Sequence, residues 1–207
     1  MKIWLFDLLA CPIDKFFPLD LYIFSFDNTQ EKFQSIIDIY IRRDLDFIKE
    51  EKIIETYIED NEFFLKDNII IEKMKLIPYL EILKSSLDEF ENVYDRTSNL
   101  LSKKCVNLMK SDVKLRINKF YENPISSKLE NIIPELFFIN KIKLELEIKS
   151  GILFCSECKR WYPIVDTIPQ MLPDKYRDKK KEIKFLENHK NLLDEKFFNQ
   201  DLKPFSI

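Results

Sequence analysis

Gly151-Ile152-Leu153-Phe154-Cys155-Ser156-Glu157-Cys158-Lys159-Arg160-Trp161-Tyr162-Pro163-Ile164 decides the fold class of this 207-residue chain. An apolar run ends in a CxxC, and a second apolar run follows it. Two cysteines at that spacing on a tight turn aim both sulfurs at one ion. The short runs on either side read as strands. The other candidate half of such a site is Cys11-Pro12-Ile13-Asp14, where aspartate stands in place of a second sulfur. Asp14 either ligates through oxygen, giving a three-sulfur, one-oxygen site, or caps a turn and leaves the site without metal. Cys105 falls on a helical apolar stripe and reads as a small core residue.

Outward from this stretch, Ile142 to Ile148 alternates apolar and charged residues, the pattern of a strand buried on one side. Lys149-Ser150-Gly151 then supplies a turn into Ile152–Phe154, spending the only glycine. Phe17 to Phe24 alternates as well. Between these strands Asp27-Asn28-Thr29 offers a helix cap, and Phe33, Ile36, Ile37, Tyr40 and Ile41 recur at helical spacing. That register continues through Leu45 and Ile48 to Ile54, Tyr57 and Ile58. Pro78 suits the first turn of a helix carrying Leu80, Leu83 and Leu87. Phe63 to Met74 fits either helix or strand. The expected fold is α+β. A small antiparallel zinc-ribbon-like β unit, residues 1–24 plus 142–177, is split by a helical insertion, 25–141, and followed by a helical tail, 178–207. Strands 17–24 and 142–148 pair across the insertion, whose ends then lie close together.

Composition removes most enzyme classes. One glycine cannot build a Walker loop, a dinucleotide fingerprint or a nucleophile elbow, and one histidine, His189, cannot build an HExxH site. The net charge of −3 gives no overall attraction to nucleic acid or anionic lipid. No apolar run reaches the ~18 residues of a membrane span. Asp7 interrupts the apolar start and no small-residue cleavage site follows, so the expected location is cytoplasmic. Four cysteines are too few for a disulfide scaffold, and their spacing suits metal or redox chemistry. A redox CxxC normally opens a helix that lowers the thiol pKa, whereas this one runs into a strand. The basic segment Lys175, Arg177, Lys179, Lys180 and Lys181 reads as a solvated helix face or as a local RNA or partner contact.

Twelve of the twenty-one residues from Ile152 to Leu172 are hydrophobic, and Ile164 and Val165 are adjacent. A strand with apolar groups on both faces is covered on both. The cover is either the inserted helices or another protein, and a strand edge here could extend a partner's sheet. Pro163 and Pro169 limit pairing on one edge, which discourages indiscriminate strand addition.

Leu8-Leu9-Ala10-Cys11-Pro12-Ile13-Asp14, Pro18-Leu19, the stretch Gly151–Cys158, Trp161-Tyr162-Pro163-Ile164 and Ile168-Pro169-Gln170-Met171-Leu172-Pro173 form an ordered set. The set resembles the small zinc-ribbon-like activator subunit shared by several RNA and protein methyltransferases, in its archaeal form. The resemblance covers about 60 residues at both ends of the split unit. It implies a non-catalytic subunit in a 1:1 heterodimer with class I methyltransferases acting on tRNA, rRNA or a release factor. The partner would bind S-adenosylmethionine, RNA would be met only indirectly, and no membrane is involved. Carried over residue by residue, Cys11, Cys155 and Cys158 match metal-ligand positions for zinc. The family's fourth cysteine is replaced: Asp14 stands in the CPxC frame, and Phe16 in the wider-spaced variant. Phe154, Ile164, Ile168, Met171 and Leu172 are the implied partner contacts. The alternative is a zinc-ribbon nucleic-acid-binding module, and a thiol oxidoreductase is the third reading.

Overall fold

A computed structural model of the chain describes every residue except Asn61, and only the backbone of Ser126 and Ser127. In chain order, β1 (Asp20–Phe26) leads into α1 (Gln30–Arg42) and α2 (Leu45–Glu50). Three strands follow, β2 (Glu55–Glu59), β3 (Glu62–Lys66) and β4 (Met74–Lys75), then α3 (Leu76–Glu89) and β5 (Val93–Asp95). Helices α4 (Leu100–Leu108) and α5 (Lys114–Glu122) are joined by a π turn, and α6 (Ile133–Glu145) completes the helical part. The chain ends with β6 (Ile148–Phe154), β7 (Trp161–Val165), β8 (Ile168–Pro169), α7 (Lys179–Asn188) and α8 (Glu195–Phe198). Contacts divide it into two units. The first is Met1–Asp27, Asn92–Asn99 and Glu147–Ile207, and the second is Asn28–Glu91 and Leu100–Leu146. Among the described residues, no helix is long and apolar enough to cross a membrane.

The first unit is a five-stranded sheet in the order β5-β1-β6-β7-β8. Strand β1 pairs antiparallel with β6, Leu21 opposite Leu153, so two strands far apart in sequence do pair across the insertion. The pairing strand is not 142–148, however. Residues 142–145 are the last turn of α6, and β6 runs from Ile148 to Phe154 with no turn at Lys149–Gly151. The alternation misleads because α6 is buried on nearly every side, Lys143 included, so polar spacing there marks no solvent face. Gly151 has a different use from the expected turn: a Cβ there would lie 2.5 Å from the Tyr22 carbonyl oxygen. The short Val93–Asp95 strand, embedded in a helical stretch of sequence, adds parallel to β1. Asp166 and Thr167, at φ of 45° and 69°, close a two-residue β7–β8 hairpin.

Residues 178–207, expected as a tail, lie within this first unit. Leu186 of α7, Leu193, Phe197 of α8 and Leu202 bury against Phe24, Ile152, Phe154 and Trp161. Asp178 caps α7 by accepting from the Lys180 and Lys181 amides. The buried Arg177 guanidinium pairs with Glu182 and donates to the Trp161 carbonyl at 2.6 Å.

The second unit is mostly helical, but not throughout. Ile54, Tyr57 and Ile58 do not continue a helix, because Arg43 and Lys52 take left-handed conformations around α1 and α2. Tyr57 and Ile58 instead enter β2, which pairs with β3 as Tyr57 opposite Phe64, and β4 extends the sheet. An aromatic and β-branched triplet at that spacing also suits a strand, and the chain reversals decide it. The core of the unit is α6 with Tyr40 of α1, Tyr79 and Leu83 of α3, Cys105 of α4 and Ile117 of α5. Buried Asp67 anchors it, accepting from the Ile69 and Ile70 amides, the Tyr79 hydroxyl and the Asn140 amide at 2.6–2.9 Å.

Candidate metal centre and docking surface

Two chain reversals with the same design meet in the first unit. In one, the Lys15 amide donates to the Cys11 carbonyl at 2.9 Å and the Cys11 amide to the Phe16 carbonyl at 3.0 Å. In the other, the Lys159 amide donates to the Cys155 carbonyl at 2.9 Å and the Cys155 amide to the Arg160 carbonyl at 2.8 Å. Lys15 and Lys159 sit at φ of 63° and 62°, left-handed positions that a glycine usually fills. The matching hydrogen bonds and spacing place Asp14 at the position that Cys158 holds in the second reversal.

The side chains converge accordingly. One donor atom from each of Cys11, Asp14, Cys155 and Cys158 lies within 4.8 Å of the others. The Cys11 and Cys158 sulfurs are 3.6 Å apart, and the Asp14 oxygens lie 3.4 and 3.6 Å from the Cys155 sulfur. A tetrahedral zinc with ordinary bond lengths requires about 3.8 Å between sulfurs and about 3.5 Å from sulfur to oxygen. The four residues fit zinc. They close a structural site whose bound metal would tie the two reversals together and supply folding energy.

The surroundings oppose redox chemistry. Burial pushes the Cys11 and Cys155 thiols above their usual range, the reverse of a reactive cysteine. The hydrogen bond from the Phe16 amide, with help from the neighbouring thiols, holds the Asp14 carboxyl below the usual carboxylate range. The Tyr162 hydroxyl lies 3.4 Å from the Cys11 sulfur and is held protonated mainly by burial. Arg160 pairs with Asp174 at 2.9 Å, and the Cys158 sulfur further favours its charge. A donor hydroxyl and a cation thus face the negative side of the cluster. Cys105 is fully buried in the other unit and takes no part. His189 is structural: it stacks on Phe24 at 4.7 Å and contacts the Phe185 carbonyl at 2.8 Å.

The five expected docking residues divide. Phe154 and Ile164 are buried, Phe154 beneath the chain's own α7 and α8, so neither offers surface. Ile168 is 60% exposed and Leu172 43%, with Met171 half-buried beside them. Val165, across the hairpin, is 38% exposed and adds to the strip. Leu8 and Ile13, beside the first reversal, are also exposed, although the sequence showed them only as neighbours of a cysteine.

The chain matches the Trm112p-like protein family over residues 2–166. It belongs to that family. Members are non-catalytic activator subunits of methyltransferases, and this chain is accordingly not an enzyme. No curated protein and no solved structure matches it. The family match ends within the β7–β8 hairpin, so α7 and α8 lie beyond it. The metal cluster lies wholly inside it.

Proposed function

We propose that this Trm112p-like chain, of the archaeal type, forms a cytoplasmic 1:1 heterodimer with S-adenosylmethionine-dependent class I methyltransferases. These act on tRNA, rRNA or a release factor, and the chain keeps them soluble and active. Cys11, Asp14, Cys155 and Cys158 hold one zinc ion that fixes the base of the sheet, and the β7–β8 hairpin docks the partner.

The carrying observation is the exposed strip Val165, Ile168 and Leu172 on a sheet edge only two residues long. Large apolar side chains left open at a sheet edge mark a protein-binding surface. Backbone pairing along that edge would hold a partner strand, and the apolar pockets would select it. Pro169 removes one backbone donor, which limits pairing with arbitrary strands.

Co-expression with candidate methyltransferases, followed by affinity capture and light scattering, tests the reading. The expected result is one co-purifying methyltransferase whose soluble yield depends on this chain. Ile168→Asp with Leu172→Asp should abolish capture while leaving the fold intact, because both side chains face solvent. Methyltransferases that stay equally soluble and active without the chain would refute it.

A further inference from the structure

We propose that the face formed by the Lys175–Tyr176 turn and α7, beside the docking hairpin, binds single-stranded RNA. From Lys175 to Lys184 the chain carries six cationic side chains against two carboxylates, within a protein of net charge −3. Both carboxylates are engaged locally, Glu182 with Arg177 and Asp178 as the α7 cap. Lys175, Lys179, Lys180, Lys181 and Lys184 are exposed. Lys181 and Lys184, with Asp178 and Glu182 beside them, line a cavity of about 500 Å³ whose wall also includes Tyr176, Phe185, Gln170 and Asn188. Tyr176 is 65% exposed, with the Lys175 ammonium 4.7 Å from its ring centre.

Each part has a use toward a polynucleotide. Exposed lysines suit phosphates, and an open tyrosine ring offers a stacking platform for a splayed base. The amides of Gln170 and Asn188 can donate to and accept from a base edge. A membrane surface fits less well. Binding one requires an apolar helix face to insert, and the apolar face of α7 is spent on its own unit through Leu186. An acidic peptide would satisfy the lysines but leave Tyr176 and the cavity unused. Helix α7 lies beyond the family match. The inference does not depend on which partner docks at the hairpin, and it is tested without one.

The test uses the full chain and a fluorescently labelled twelve-residue oligouridylate, read by anisotropy. Four phosphate contacts to a single strand predict affinity about 50-fold weaker at 200 mM than at 50 mM salt. The variant Lys179→Ala with Lys180→Ala and Lys184→Ala should weaken binding and flatten that salt dependence. Tyr176→Ala should weaken binding at least about fivefold with the salt dependence kept. All four side chains are exposed, so circular dichroism should show both variants folded. No binding at 50 mM salt, binding that both variants retain in full, or equal affinity for an RNA duplex would each overturn the proposal.

Discussion

Replacing Asp14 with asparagine separates the two roles that this residue can play. The Phe16 amide donates to Asp14 Oδ1 at 3.0 Å, and an asparagine oxygen can keep that turn-closing bond. It cannot keep the charge, and a neutral amide is a poor zinc ligand. Losing a residue that only orients a ligand typically weakens metal binding about 10- to 100-fold, so losing a ligand itself should reach at least the upper figure. Asp14 faces solvent, so water can take the vacated position and stop the loss from being total. A hundredfold change is about 2.7 kcal/mol. By linkage, Asp14→Asn should melt with that much less stability than the native chain in saturating zinc. In excess chelator the two should melt within about 0.5 kcal/mol of each other, as expected for an exposed surface substitution. Zinc competition against a chromophoric chelator gives the affinities directly, and Asp14→Cys should restore tight binding. If Asp14→Asn binds zinc within threefold of the native chain, Asp14 is a turn cap and the four-ligand centre is wrong.

Two stability predictions follow from the sheet. In Gly151→Ala the new methyl meets a backbone oxygen of β1, which cannot swing aside, so denaturant unfolding should show a loss of about 1–3 kcal/mol. Phe197 is buried, with ring centres of Tyr22, Phe154 and Phe198 at 5.2–5.6 Å. Phe197→Ala should cost about 3–5 kcal/mol, with Trp161 fluorescence reporting the loosened cluster. A loss under 1 kcal/mol would show that the C-terminal helices are not part of this core.

The metal half-sites were legible because their chemistry is local: a ligand, two spacers, a second ligand and a turn-forming lysine recur at Cys11–Lys15 and Cys155–Lys159. The pairing of β1 with a strand beyond the insertion was legible too, but its register was not. Period-two alternation at 142–148 indicates a strand only if alternate side chains face water. Here Ile142 and Leu146, four apart, are both buried, as is Lys143 between them. The three residues of Val93–Asp95 are too few to show any period, and they form a strand only because β1 offers them an edge. Phe154 looked available to a partner because no local pattern shows that residues 186–202 fold back over the sheet. The cavity beside α7 was half visible, since Lys181 and Lys184 belong to a basic segment while its walls come from separate elements.

The split of the sheet between Phe26 and Ile148 also sets an order of events during synthesis. At ribosomal rates of about 5–20 residues per second, β1 waits roughly 6–25 s before its antiparallel neighbour emerges. Until then Leu21 and Ile23 have only the three-residue β5 to pair with, while the intervening helices can already condense. The sheet is therefore completed only once Ile148 and the strands after it have left the tunnel.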